Sequence, residues 1–336
     1  MGNSISVVMA ARDAQETIGD ALQSLREQTL SARDVLVVLN GCQDKTKDVV
    51  KSFAKDWPEL KFFETPAEGG VALAVKEGCK QAQGEFIVRM DADDVCEANR
   101  FAVQVEVINR EQADLVTSRV EVLDAIGAGL KEYVGWANRL LQSEDFARER
   151  FIESPVIQPS VMMRRESYQL AGGYRVESGP EDYELWLRML SKGMRFHQAS
   201  ETTLYWRDSM ERLTRTHEDY SKVAMASVRA RYLAFLPQVR ERGVTLAGAG
   251  PTGRRLAKLL KSEGVQVRGF YDVNPKWIGR QIYGLPVWGP SQLGVRFEEE
   301  QVPVLLGCVG HAGRERVRAL VKGVGYREGV DFFACC

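Results

Sequence analysis

Three carboxylates stand within four positions in the segment Arg89-Met90-Asp91-Ala92-Asp93-Asp94. Like charges this close repel: two unit charges 4 Å apart cost about 4 kcal/mol at an effective dielectric near 20. A hard divalent cation, Mn²⁺ or Mg²⁺, relieves that repulsion, and such ions are held by carboxylates together with substrate phosphates. There the ion serves as a Lewis acid on a leaving phosphate. An acidic loop that caps the next helix is an equally good account of the same residues. The local pattern leaves both open.

A second pattern with chemistry in it is Gly248-Ala249-Gly250-Pro251-Thr252-Gly253. It follows an apolar strand-like run and opens a helical one. Asp272 ends the next apolar run, 22 positions past Gly250 (272 − 250). Gly248, Gly250, Gly253 and Asp272 thus fit a dinucleotide fingerprint, with NAD or another nucleotide as the implied ligand. Glycines admit close backbone approach, and a helix N-terminus favours phosphate. The segment has only about 93 residues, short for two complete mononucleotide-binding halves. A structural or oligomerising module is therefore the equal alternative. The histidines, at 197, 217 and 311, are too dispersed for a histidine-rich metal site. The six cysteines, at 42, 79, 96, 308, 335 and 336, show no Cys-x-x-Cys spacing and read as scattered thiols of a reducing cytosol.

The elements that must position these residues follow from apolar periodicity. Strands are expected at Ser4–Met9, Val35–Leu39, Leu60–Phe63 and Glu85–Met90. Helices are expected over Ala14–Gln28, Lys45–Lys55 and Val71–Gln81. The continuous apolar runs suit strands buried on both faces, hence a doubly wound α/β sheet. Ligands on such sheets sit beyond the carboxyl ends of the strands, where the acidic cluster lies. Further on the pattern is mixed: two short strands in Leu115–Leu123, helices at Ser143–Phe151 and Glu181–Ser191, a strand at Val161–Met163 and edge strands in Arg195–Trp206. Thr216–Phe235 reads as one long amphipathic helix. A second βα series runs through Val244–Ala247, Thr252–Ser262, Val265–Tyr271, Val302–Cys308 and Gly313–Lys322. The expected domains are 1–210, a helical connector at 211–242, and a Rossmann-like domain at 243–336.

Composition narrows the function classes. The 336 residues are 44% hydrophobic and 27% charged, and carry a formal net charge of −1. That suits two globular domains and gives no support to nucleic-acid binding, which uses a basic face. The chain begins without a charged and then apolar leader, and no apolar stretch reaches 18 residues. A cytoplasmic protein is expected, working at the inner face of the membrane if its acceptor is lipid-linked. Peripheral membrane contact and a homo-oligomer both fit that picture.

Five segments occur in order: Ser6-Val7-Val8-Met9-Ala10-Ala11-Arg12-Asp13, Val37-Val38-Leu39-Asn40-Gly41-Cys42-Gln43-Asp44, the acidic cluster, Gly172-Gly173-Tyr174-Arg175, and Gly179-Pro180-Glu181-Asp182-Tyr183-Glu184-Leu185-Trp186. In this order and spacing the chain resembles the family 2 glycosyltransferases over roughly residues 4–210. The resemblance implies the GT-A fold and an inverting transferase. It also implies a nucleotide-diphosphate sugar donor, a divalent cation, and a hydroxyl acceptor on a polysaccharide, glycolipid or glycoconjugate.

Residue by residue, the resemblance implies that Asp93 holds the metal and Asp91 the metal or the donor ribose. Of Glu181 and Asp182, it makes Asp182 the general base; Pro180 and two acids also fit the first turn of a helix. Ala11, Asn40 and Arg215 join Asp91 as donor contacts. Leu39-Asn40 replaces a pair of aspartates common in relatives, so an uncharged amide stands at the nucleobase position. Gln158-Pro159-Ser160 stands where His-Pro-Ser is common. Arg207, Arg212 and Arg215 fall in a stretch that covers the donor in relatives, where an arginine can clamp phosphate; plain surface arginines are the alternative. Asp44 is expected to cap the helix that follows it. Two further function classes remain: a nucleotide-binding module with a weak transferase half, and an oxidoreductase using the 248–272 motif, which lacks a hydride-transfer partner.

Overall fold

The computed structural model of the chain describes residues 3–123, 126–176, 179–297 and 303–335. Contacts divide it into two units, Met1–Phe146 with Pro155–His217, and Ala147–Ser154 with Glu218–Cys336.

The first unit opens with β1 (Ile5–Ala11), α1 (Ile18–Arg26), β2 (Asp34–Asn40), α2 (Thr46–Ala54), β3 (Leu60–Thr65), α3 (Gly70–Gln81) and β4 (Phe86–Asp91). It continues through β5 (Val95–Cys96), α4 (Arg100–Arg110), β6 (Leu115–Leu123), α5 (Ala128–Ala137), α6 (Ser143–Glu149) and β7 (Met162–Arg164). It ends with α7 (Arg165–Ala171), α8 (Glu181–Ser191), β8 (Phe196–Arg207) and α9 (Leu213–Thr216).

Both faces of the sheet are covered, as the apolar runs require. Alternate residues of a strand point to opposite faces. Val7, Met9, Val35, Val37 and Val88 enter one core, closed by Ile18, Leu22 and Leu25 of α1 and Phe101 and Ile108 of α4. Val8, Leu36 and Ile87 enter the other, closed by Val75 and Cys79 of α3 and Leu185, Trp186 and Met189 of α8. The strand order is β3-β2-β1-β4-β7-β6-β8-β5. The first four are parallel, with Ala11 opposite Leu39 and Ala10 opposite Asp91. The carboxyl ends of β1, β2 and β4 therefore finish side by side.

Three expectations change. Leu115–Leu123 forms one strand, not two; a register irregularity against β8 at Ser118–Val120 absorbs the break in alternation. Arg195–Trp206 is not a set of edge strands: β8 lies between β6 and β5. The expected helix Thr216–Phe235 is broken. A turn of 3₁₀ helix at Glu218–Tyr220 precedes Ser221, whose hydroxyl accepts from the Ala224 amide at 3.2 Å and starts α10 (Lys222–Ala234).

The second unit adds α11 (Pro237–Arg242), β9 (Val244–Ala247), α12 (Pro251–Ser262), β10 (Val267–Tyr271), β11 (Gln281–Ile282) and β12 (Leu285–Trp288). It closes with α13 (Gln292–Phe297), β13 (Val304–Gly307), α14 (His311–Gly323) and β14 (Phe332–Ala334). Its sheet, β11-β12-β10-β9-β13-β14, is parallel except for β11. The chain returns across β9 between β12 and β13, the Rossmann-like switch beside which ligands commonly bind. Val302 and Cys336 lie outside the described residues; Cys335 is buried after β14.

Candidate active site

The acidic cluster sits at the end of β4. One carboxylate oxygen from each of Asp91, Asp93 and Asp94 can be chosen so that all lie within 4.8 Å of one another. Among the described residues the cluster caps no helix: the chain enters β5 at Val95, and α4 begins at Arg100 after Asn99. That removes the alternative left open by the local sequence. β5 pairs antiparallel with β8, Val95 opposite Tyr205, which carries Arg207 to the cluster. The Arg207 amide donates to Asp94 Oδ1 at 2.9 Å, and its Nε to the Asp93 carbonyl at 3.0 Å. Thr17, at the start of α1, donates to the Ala92 carbonyl at 3.0 Å.

The three acids differ in environment. Asp94 is wholly buried, and its Oδ2 has no hydrogen-bond partner among the described residues. Burial, then the charges of Asp91 and Asp93, push its carboxyl well above the usual range. Asp93 is pushed up to about 6, by burial and then by Asp91, against the pull of Arg212 and Arg207. A buried orphan oxygen beside two partly exposed carboxylates is an oxygen donor set that a hard cation fits. Asp94 extends the pair expected from the sequence to three.

Glu181 and Asp182 form the first turn of α8 after Pro180. Glu181 is buried, and Gln158 Nε2 lies 3.5 Å from its Oε1. Asp182 Oδ1 accepts from the Tyr183 amide at 2.6 Å. Enclosure by the protein, then the charge of Glu181, pushes Asp182 up to about 8; Asp91 adds to the shift from across the site. The α8 start is held from behind by Arg188, which pairs with Glu184 at 2.7 Å and donates to the Gly173 carbonyl at 2.8 Å.

The remaining expected donor contacts are distributed around this centre. Ala11 ends β1, is 2% exposed, and offers only backbone to a ligand; its carbonyl accepts from Cys42 Sγ at 3.3 Å. Asn40 is buried at the end of β2 and spends its amide hydrogens on the Pro66 carbonyl at 2.9 Å and Thr65 Oγ1 at 3.2 Å. Its oxygen is what it can still offer. Arg215 does not point its fork at the acidic cluster. It pairs with both oxygens of the buried Asp208, at 2.6 and 3.0 Å. Arg212 stacks 3.9 Å from the Trp206 ring centroid and, with Arg207, is the cation that acts on Asp93. Asp44 stands one residue before the α2 N-cap, Lys45, and accepts from the Thr46 amide at 2.9 Å, so it braces the helix start from just outside it. A 400 Å³ cavity lined by Val107, Arg110, Leu141, Glu144, Arg195 and His197 lies at the start of β8, away from the acidic cluster.

In the second unit the glycine loop has the geometry its spacing implies. Gly248 adopts φ +115°, and a Cβ on Gly253 would lie 1.9 Å from the Gly248 carbonyl oxygen. Gly250 faces open space. Asp272 is turned inward: Oδ2 accepts from the Ala249 amide at 2.7 Å and Oδ1 from the Asn274 amide at 2.8 Å. One oxygen thus ties Asp272 to the glycine loop, and the other closes the turn that follows it.

The model of Glycosyl transferase family 2 matches residues 6–170, which span β1–β4, the acidic cluster and most of α7. Residues 6–170 belong to glycosyl transferase family 2. Over that span the chain is similar to the family 2 glycosyltransferases, and like its relatives it is a glycosyltransferase using a nucleotide-sugar donor. The chain is 28% identical over 194 residues to the amylovoran biosynthesis glycosyltransferase AmsE of Erwinia amylovora, covering 56% of this chain and 70% of that one. It is 26% identical over 235 residues to the UDP-Gal:alpha-D-GlcNAc-diphosphoundecaprenol beta-1,3-galactosyltransferase of Escherichia coli, covering 68% and 82%. In three dimensions it matches S. aureus TarS 1-349, solved with UDP-GlcNAc, at a TM-score of 0.57 and 16% identity, covering 70% and 67%. The shared fold is the GT-A fold of the nucleotide-sugar transferases.

Proposed function

We propose that the chain is a metal-dependent inverting glycosyltransferase that extends a polysaccharide, glycolipid or lipid-linked glycan on the cytoplasmic side of a membrane. The observation that carries the metal-dependent part is the trio Asp91, Asp93 and Asp94 at the end of β4, with the buried orphan oxygen of Asp94. Asp91 and Asp93 would hold Mn²⁺ or Mg²⁺, with Asp94 behind them. When bound, the ion supplies positive charge for the departing nucleoside diphosphate. Arg207 and Arg212 add fixed positive charge beside it.

Asp182 supplies the base. Its carboxylate takes the proton of the acceptor hydroxyl as that oxygen bonds to the anomeric carbon. The carbon's bond to the diphosphate oxygen breaks with the electron pair leaving on the diphosphate, and attack from the opposite face inverts the configuration. The raised proton affinity of Asp182 suits this task better than an ordinary carboxylate would. The base of the nucleotide would lie toward Asn40, whose amide hydrogens are taken by Thr65 and Pro66 and whose oxygen is left to accept from it. Lipid-linked and polysaccharide acceptors are supported by the galactosyltransferase and amylovoran relatives.

The test is a melting-shift screen of nucleoside diphosphates with and without Mn²⁺. One diphosphate should stabilise the chain only when Mn²⁺ is present, and Asp93→Ala should abolish the effect. Stabilisation independent of metal, or retained in Asp93→Ala, refutes the assignment. For the loop at Gly248, Gly250 and Gly253, a bound NAD or nucleotide would have to compete with Asp272 for the Ala249 amide. A melting shift with NAD that disappears in Gly250→Val would establish such binding; no shift with any nucleotide leaves the loop a structural one.

A further inference from the structure

Arg89 is the residue of β4 two positions before the first ligand aspartate, and its side chain is 0% exposed. A buried guanidinium needs several acceptors to be tolerated. Arg89 Nη1 donates to the Met90 carbonyl at 3.0 Å and to the Val8 carbonyl of the neighbouring strand. Its Nη2 donates to Asp91 Oδ1 at 2.9 Å. Arg100, also fully buried, braces the Arg89 carbonyl from the other side at 2.9 Å. Glu181 also lies within electrostatic reach of the Arg89 guanidinium. Asp91 is thus bonded to a buried cation whose charge Glu181 also feels.

We propose that Arg89 is a positioning residue that acts through Asp91. Its bond to Oδ1 sets the rotation of the Asp91 carboxylate and leaves the other oxygen for a ligand. Its charge offsets three closely set carboxylates before any divalent ion arrives. A guanidinium suits this because its planar fork serves two backbone carbonyls and a carboxylate at once, which a point-like ammonium cannot reproduce. The inference rests on the metal-binding reading of the acidic cluster.

The competing account is structural: Arg89 satisfies the carbonyls of Val8 and Met90, and its contact with Asp91 is incidental. A double-mutant cycle separates the two. The full chain is titrated with Mn²⁺ alone, and free Mn²⁺ is followed by its EPR signal. Melting temperatures without metal report folding. Arg89→Gln is expected to weaken Mn²⁺ binding by about 10–100-fold, the usual effect of losing a group that orients a metal ligand. Arg89→Gln/Asp91→Asn should bind no more weakly than Asp91→Asn alone, because both changes remove one arrangement. Arg89→Lys should recover part of the loss, and it decides the matter should Arg89→Gln not fold: binding weaker than wild type in a folded Arg89→Lys protein supports the proposal.

Wild-type Mn²⁺ affinity in a folded Arg89 variant overturns it. So does full additivity in the cycle, which would mean that Arg89 acts independently of Asp91. A wild-type chain that takes up no Mn²⁺ refutes the metal reading and this inference together. Binding by wild type with no effect of Arg89 refutes this inference alone.

Discussion

The proton on Asp182 is the sharpest handle on this site. An aspartate ionises near 4 in water, and here burial with Glu181 beside it raises that to about 8. In the free enzyme about 1% of Asp182 is then ionised at pH 6 and about half at pH 8. If the ionised form is the base, kcat/KM should rise about tenfold per pH unit below 8, or about 50-fold between pH 6 and pH 8. Glu181 stands beside Asp182 and its charge adds to the shift, so the profile alone does not name the residue. Asp182→Asn does: it should lower the rate by about 10²–10⁴-fold and abolish the rising limb. The assay is release of nucleoside diphosphate from the sugar donor matching the melting screen.

Stability supplies a second readout that needs no donor. Between about pH 4 and pH 8 the folded chain keeps a proton on Asp182 that the unfolded chain releases, so stability falls as pH rises through that window. At about 1.4 kcal/mol per unit the ceiling is about 6 kcal/mol, reduced by the partial access of water to this group. Asparagine mimics the neutral acid. The melting-temperature advantage of Asp182→Asn over wild type should therefore grow from pH 5 to pH 8. A flat pH–rate profile over pH 6–8, or a limb that survives in Asp182→Asn, refutes the reasoning; an equal melting difference at both pH values refutes its electrostatic part.

Other consequences can be measured independently. Asp93 is raised to about 6 and Asp94 is also raised, so protons should compete with metal; Mn²⁺ affinity should fall as pH drops through 6, and a pH-independent affinity would contradict this. Gly253→Ala places a methyl 1.9 Å from a backbone oxygen and should destabilise the second unit by about 1–3 kcal/mol in urea unfolding, whereas Gly250→Ala meets nothing and should stay within about 0.5 kcal/mol; equal midpoints would count against the loop geometry. Arg188→Met removes the 2.7 Å partner of the buried Glu184 carboxylate, leaving Arg175 at 3.4 Å, and should cost up to about 3–5 kcal/mol, part of it recovered by adding Glu184→Leu; a loss under about 1 kcal/mol would show the pair to be dispensable.

The alternating βα pattern was legible because the strands are long apolar runs and the helices carry one apolar face. Val35–Leu39 and Glu85–Met90 each fall within a residue or two of their observed strands. Less legible were elements whose limits depend on partners. The break in Thr216–Phe235 comes from a serine cap that lies within an otherwise helical pattern. The single long β8 exists because β6 and β5 flank it, and no local periodicity carries that pairing.

At the site, the sequence by itself determined which residues could do the chemistry: the run Asp91 to Asp94, and Glu181-Asp182 at a helix start. Residue type and spacing are enough for that, since carboxylates ending a buried strand have few other uses. Only the tertiary structure set the helix-cap account aside, because that turned on where the chain went after Asp94. It also turned Arg215 toward Asp208, brought Arg207 and Arg212 to bear on Asp93, and set the buried Arg89 under Asp91. Those pairings depend on distance and desolvation, which act through space between residues far apart in the chain, so their signs emerge only once the fold has set the neighbours.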